Sequence, residues 1–310
     1  MDIFVPTLNQ IAYLFLLIFI GYIIIKIGVM PKNSDTVLSR MENYLFIPAL
    51  VLSTFMSNFN VEKIKFYGEF FLVGFILCLV GIILAIILSK IFFKDKKIYA
   101  YGMAFSNFAF MGNAVALAIF PDLFTEYLIF VLPFWIFAYL WGVPYILSEE
   151  QNEKVTIKKR LKAFINPMII SVFVGVLFGL INLNAPSFIN KSITTLGSLM
   201  TPIAMIITGM TIAKIDVLKM LKKFSIYSLS LIRLIVFPIV GILLIKLLSI
   251  SYDLSLCIIV VLSMPLGLNS IIVLNAYDKD ISEASAMALI SHVLSIISIP
   301  LIFSIFSTIF

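Results

Sequence analysis

Two asparagines, Asn113 and Asn269, stand 156 positions apart inside apolar runs that glycine or proline interrupts, FSNFAFMGNAVALAIF and LSMPLGLNSIIVLNAY. Asn107 precedes the first interruption and Ser263 the second. A side-chain amide offers donors for the oxygens of an anion and an acceptor for a cation. Gly112, Pro265 and Gly267 mark where helix propensity or a backbone donor is missing. Backbone groups freed at such a break inside a bilayer need protein or a water-filled cavity to satisfy them, so the asparagines also suit a purely structural role.

Three further groups ionise. Arg233 lies ten residues past Lys223, which at about 1.5 Å per residue puts it near the centre of a membrane-crossing helix. A charge at that depth costs at least about 2.5 kcal/mol on insertion scales and marks a functional hypothesis. It can meet a substrate carboxylate or bond helix-end carbonyls, and both readings stay open. His292 is the sole histidine. A titrating imidazole can couple transport to protons, although a single helical histidine is more often a satisfied packing residue. Glu42, beside Asn43, reads either as a cation or proton site or as an interfacial acid paired with Arg40. Ser263 belongs with these as a candidate ion ligand.

Catalytic sets are missing from the same inventory. There is no Gly-x-Ser-x-Gly, no His-Glu-x-x-His and no second histidine, so neither an enzyme, a metal site nor a cofactor is expected. Cys78 and Cys257 fall in apolar stretches without ligand spacing and read as packed thiols.

The elements that carry these residues follow from composition. Of 310 residues, 62% are hydrophobic and 12% charged, against about 25% charged in a soluble chain. Too little polar surface remains to cover a water-soluble particle. Apolar runs against polar breaks predict helices at about 8–27, 36–57, 66–89, 98–120, 126–147, 164–182, 190–212, 224–247, 254–275 and 284–308. The amino-terminal residues have no basic stretch before the first run, so it is expected to remain as a span rather than be cleaved.

Charge alternates between the loops of such a chain. One set of loops holds 17 of the 22 basic residues, among them Lys94, Lys96, Lys97 and the cluster Lys158, Lys159, Arg160. The opposite set holds only Lys63, Lys65, Lys191 and Lys246. The positive-inside rule then places the first set in the cytoplasm and both termini outside. The net charge of +6 is therefore read as topology, not as nucleic-acid binding.

Five spans precede EEQNEKVTIKKRLK and five follow it, and an odd number per half inverts the second half relative to the first. A faint echo supports this: LFIPALVLSTF at 45–55 is similar to LMTPIAMIITG at 199–209, and Pro144 and Pro300 are 156 apart, like the two asparagines. Interrupted segments at matching places in two halves are the best sequence pointer to a transporter binding site. Half-helix amino termini there would aim positive dipole ends at an anion.

Four segments resemble the auxin efflux carrier family, the PIN-like transporters: RMENYLFIPALVLSTF, FSNFAFMGNAVALAIF, TTLGSLMTPIAMIITGMTIAK, and MPLGLNSIIVLNAYDKDISEASAMALISHVLSIISIPLIF. Their order and spacing cover nearly the whole chain. The resemblance implies five-plus-five inverted repeats, a scaffold part, a transport part with crossed broken helices, and a homodimer. It implies small organic anions as substrates, auxin-like or mono- and dicarboxylates such as malate and malonate. Two features depart from the family pattern. Asn113 and Ala114 stand where a proline commonly follows the first crossover glycine, and the central loop lacks a long hydrophilic insert.

The expectation is thus an all-α, multi-pass protein of a prokaryotic plasma (inner) membrane with crossover helices 4 and 9 broken. Residues 1–150 would form the first repeat, 151–163 a short cytoplasmic linker and 164–310 the second repeat. It would move an organic anion by alternating access, with Asn107, Asn113, Asn269 and Arg233 as contacts and H⁺, Na⁺ or no coupling ion. The alternatives are a sodium-coupled symporter of the bile-acid type and a non-transporting membrane receptor. No signalling domain is attached to favour the latter.

Overall fold

The computed structural model describes residues 4–31, 33–59, 61–94, 96–148, 167–181, 185–214, 223–276 and 279–310. The linker expected at 151–163 lies outside them. Among the described residues the chain is helical, and the one extended pairing is a single bridge discussed below. In order the helices are α1 (Phe4–Lys26), α2 (Ser34–Met41), α3 (Ile47–Asn58), α4 (Ile64–Phe92), α5 (Lys97–Ala104), α6 (Asn113–Ile119), α7 (Phe124–Phe137) and α8 (Val143–Leu147). There follow α9 (Pro167–Leu180), α10 (Ser187–Ser198), α11 (Met200–Ile212), α12 (Phe224–Leu231), α13 (Phe237–Leu247), α14 (Tyr252–Ser263), α15 (Asn269–Ala276) and α16 (Ser282–Ile309). Among the described residues, six stretches are long and apolar enough to cross a bilayer: Leu8–Lys26, Val61–Phe92, Pro121–Leu147, Ser187–Ile212, Phe224–Leu247 and Ser282–Ile309. Shorter apolar helices occupy Phe108–Ile119, Pro167–Leu180 and Tyr252–Ser263. The chain is a multi-pass membrane protein.

Proline explains several irregularities. A proline inside a helix lacks the N–H for its bond and collides with the carbonyl four residues earlier. Pro48, Pro144 and Pro238 each follow a π-helical turn that ends two residues before them, at Glu42–Phe46, Ala138–Gly142 and Ile232–Val236. The wider turn moves the offending carbonyl aside, and α2–α3, α7–α8 and α12–α13 each run on as one rod. Such single π turns also cluster at functional sites. Pro202 sits near the junction of α10 and α11, where Leu199 keeps a helical backbone (φ −74°, ψ −17°) and the two run on as Ser187–Ile212.

Packing falls into two groups. In one, α1 lies on α11, α3 on α9 and α10, and α2 on α11. In the other, α4 contacts α5 and α7, α12 contacts α16, and α14 contacts α13 and α16. Glycine permits the closest approach in the first group. A β-carbon at Gly21 would strike the Ile206 carbonyl oxygen, and one at Gly209 would strike that of Ile18. Two facing glycines let α1 and α11 touch backbone to backbone, as small residues do throughout membrane bundles. Aromatic rings hold α5 and the turn after it against α7 and α8, with Phe108 on Phe134 and Trp135 and Phe105 on Trp141. Helices α1 and α16 join the groups, as does the turn Phe108–Gly112 against α11.

Ion pairs mark the two ends. At one, Lys96 and Lys223 both reach Glu283, at 2.9 and 3.3 Å. At the other, Lys63 reaches Glu126 at 3.2 Å. Gln10, near the start of α1, and Phe310, after α16, line one open cavity with Lys63, Asp122 and Asp253, so the first and last helices share that second end. Both cysteines are buried free thiols.

Candidate functional site

Helices α5 and α14 both stop inside the protein and hand over to extended chain. Phe105 has φ −116° and ψ 104°, and Met264 has φ −68° and ψ 145°. The two extended stretches cross, and Ser106 pairs with Leu266 in an antiparallel bridge. Asn107 N–H donates to the Pro265 carbonyl at 2.7 Å, and Gly267 N–H donates to the Phe105 carbonyl at 3.3 Å. Each break therefore supplies a donor and an acceptor to the other. A β-carbon at Gly267 would lie 3.0 Å from the Ser106 oxygen and 3.1 Å from that of Phe105, so glycine is what lets the chains meet. Ser106 Oγ donates to the Val261 carbonyl at 2.8 Å, and Leu266 N–H donates to Ser291 Oγ at 3.1 Å.

The crossing leaves helix ends of both signs at one place. Carbonyls at the ends of α5 and α14 gather around Arg233, which is 2% exposed. Its guanidinium donates to Met103 at 3.3 Å, Met264 at 3.4 Å and Val261 at 2.5 Å. Orphan carbonyls carry the negative end of the helix dipole, and a cation there satisfies them. The face of Phe237 covers the guanidinium at 5.5 Å. Just past the crossing along each chain segment start the turn Phe108–Gly112, leading into α6, and α15. Tyr127 Oη braces the first of these by donating to the Phe108 carbonyl at 2.9 Å.

Side chains at the crossing are buried and partly unpaired. His292 Nδ1 is 2.7 Å from the Ala288 carbonyl, and its Nε2 is 3.0 Å from Asn107 Nδ2. A carbonyl only accepts, so Nδ1 bears the proton, and in the neutral ring Nε2 accepts from the amide. Asn107 thus spends one of its two N–H groups on His292, and its Oδ1 is buried without a partner. The amide keeps a second N–H beside that acceptor, so both expected roles, donor to an anion and acceptor for a cation, stay open to it. Asn113 Oδ1 and Ser263 Oγ are likewise buried without partners. Asn269, at the first turn of α15, is half-buried.

Glu42 stands apart from these groups. It is fully buried, and neither carboxylate oxygen has a hydrogen-bond partner. Asn43 turns away from it to donate to the Ser39 carbonyl at 2.8 Å. Arg40, its expected neighbour, is exposed, and no ion pair joins the two.

Of the sequence-derived candidates, the structure joins Asn107 to His292 and sets Arg233, Pro265 and Gly267 at the crossing. Gly112 faces Tyr127, and its N–H caps the Asn107 carbonyl at 2.9 Å. Ser106, Ser291 and Tyr127 are contributors that sequence reasoning passed over. The signal for Ser106 and Ser291 was present, since each is a hydroxyl next to a selected residue, Asn107 and His292.

An uncharacterized transporter of Methanocaldococcus jannaschii is 25% identical over 303 residues, covering 95% of this chain and 97% of that protein. The family described as membrane transport protein matches residues 6–303. Because that match takes in nearly the whole chain, including both broken segments, the protein belongs to the membrane transport protein family, the auxin efflux carriers.

Proposed function

We propose that this chain is a secondary transporter that moves a small organic anion by alternating access, through ten spans arranged as two inverted five-helix halves. The observation that carries the reading is the bridge between Ser106 and Leu266, where two interrupted segments from different halves of the sequence cross. Interrupted segments of this kind form the substrate sites of inverted-repeat carriers. The amino ends at Phe108 and Asn269 present first-turn N–H groups and positive dipole ends, which suit a carboxylate. Asn269 stands at the second of those ends, and Asn113 follows the π turn that opens the first, both as side-chain contacts. We assign Arg233 to the carbonyl ends, as a residue that positions the crossing rather than touching the solute.

The buried oxygens Asn107 Oδ1, Asn113 Oδ1 and Ser263 Oγ favour a second reading, in which a sodium ion is carried with the anion, as in symporters of the bile-acid type. Hard cations seek such oxygen ligands.

Uptake into proteoliposomes tests both. A panel of labelled mono- and dicarboxylates, including malate, malonate and an auxin, is offered under set pH and sodium gradients. Loss of one hydrogen bond to a charged group lowers binding by roughly 1.5–3 kcal/mol, so Asn113→Ala and Asn269→Ala are each expected to reduce uptake by about ten- to a hundredfold. Unchanged uptake in both variants would remove the crossing as the binding site.

A further inference from the structure

We propose that Glu42 is the proton-carrying carboxyl of this transporter, an inference that rests on the transport reading above and names its coupling ion. Glu42 opens the π turn Glu42–Phe46, and its two oxygens are buried with no hydrogen-bond partner. Glu42 borders a cavity of about 20 Å³ that it shares with Ser39, Thr211, Phe110, Leu268 and Ile271. A space of that size holds a single water and excludes any organic solute. The carboxyl therefore serves something no larger than a proton or a small cation.

The location of the cavity links it to the crossing. Ser39 and Glu42 come from the α2–α3 rod, and Thr211 comes from α11, both in one packing group. Phe110 lies three residues before Asn113, and Leu268 immediately precedes Asn269. The second wall is thus formed by the residues that lead into the two half-helix starts. Any displacement of the crossing relative to α2, α3 and α11 opens this cavity and admits water to Glu42. Closing it again strips the water away.

A bare carboxylate in the closed cavity would have lost its hydration and gained no partner, which is unfavourable. The closed state is therefore tenable with a proton on the carboxyl. On opening, the O–H bond breaks heterolytically, the proton passes to an entering water, and the electron pair stays on the carboxylate. Proton binding on the other side reverses the step, so each closure carries one proton.

The surroundings favour a proton over sodium. Apart from the two hydroxyl residues, Ser39 and Thr211, the lining is Phe110, Ala204, Ile207, Leu268 and Ile271, which provide no oxygen cage for a metal cation. Neighbouring charges are already engaged or turned outward. Asp35 pairs with Lys214 and accepts from Thr211, while Arg40 and Lys191 are exposed. Helices α9 and α15 and the turn Phe108–Gly112 bring no ionisable group to Glu42.

Two measurements decide the matter, using purified full-length protein and the Glu42→Gln variant. In lipid nanodiscs, infrared spectroscopy at neutral pH should show a protonated-carboxyl C=O band that the variant lacks; identical bands overturn the proposal. In proteoliposomes at zero membrane potential, a one-unit pH gradient should drive about tenfold accumulation of labelled malonate for one proton per solute. Glu42→Gln should abolish that accumulation while leaving malonate counterflow within about twofold of wild type. Accumulation that survives in the variant, or that follows sodium and ignores pH in the wild type, overturns it. If wild-type protein moves no carboxylate at all, the transport reading fails, and the infrared result still decides whether Glu42 carries a proton.

Discussion

The break after α5 and the break after α14 reach the same shape with different residues. The second contains Pro265 and Gly267, whereas the first, Phe105–Asn107, contains neither proline nor glycine. Phe105 is extended all the same. Conversely, Pro133 and Pro300 lie inside helices that continue past them. Proline alone therefore does not decide where a membrane helix opens in this protein. What the two breaks share is partners: each bonds the other's backbone, each leans on α16 through Ser291 or His292, and both carbonyl ends end at Arg233. A break persists in a low-dielectric setting where its freed groups find partners, and a kinked but continuous helix results where a π turn absorbs the proline.

That comparison is broken most severely at Arg233. Arg233→Met removes the common support of both breaks and leaves the Met103, Val261 and Met264 carbonyls short of a donor. Each buried orphan costs about 1–3 kcal/mol, and relief from burying a guanidinium returns part of it. A net loss of about 3 kcal/mol is expected, read as a fall of roughly 5 °C in unfolding temperature in detergent. If the variant melts with the wild type, Arg233 does not hold the breaks, and a solute-contacting role regains its case.

Next in size are the two glycines, and they should differ. Gly267→Ala sets a methyl against backbone oxygens that cannot retreat without parting the bridge, for about 1–3 kcal/mol. Gly112→Ala sets a methyl 2.5 Å from the hydroxyl of Tyr127, a buried side chain that can yield only by giving up its bond to the Phe108 carbonyl, in a residue with helical φ of −63°. Replacing a helical glycine gains up to about 1 kcal/mol, which offsets part of that lost bond, so this variant is expected to cost less than Gly267→Ala. Parallel unfolding curves check the ranking. A larger cost at Gly112 would mean that the first break, and not the second, is the constrained partner.

Much of this architecture can be read from the residue string. Apolar runs locate the helices, and the matched interruptions around Asn113 and Asn269 point to the crossing before any coordinates. Span boundaries predicted at 224–247 coincide with α12–α13, because Lys223 and Ser249 bound a mostly apolar run. Other features are illegible for a physical reason. The Arg233 contacts join positions 28 to 130 residues apart, and no local pattern encodes which carbonyls a long side chain will meet. The π turns before Pro48, Pro144 and Pro238 depend on whether a helix yields or breaks, which packing decides. The orientation of the Asn107 amide depends on His292, 185 residues away.

The smallest expected effect separates the two asparagines that sequence symmetry makes equivalent. Asn113 buries an acceptor without a partner, whereas Asn269 is half-buried and can be hydrated. Replacing an unpaired buried polar group with an apolar one of similar volume is neutral to stabilising, so Asn113→Leu should raise stability by about 1 kcal/mol. Asn269→Leu should change it by no more than about 0.5 kcal/mol. Both should lose uptake, so Asn113→Leu would gain stability at the expense of activity, as happens where a site is kept polar for function. Unfolding in detergent, run beside malonate uptake, distinguishes the outcomes. A clear loss of stability in Asn113→Leu would mean that its amide is already satisfied by the protein. The first break would then be built to close on itself, and only the second would face the solute.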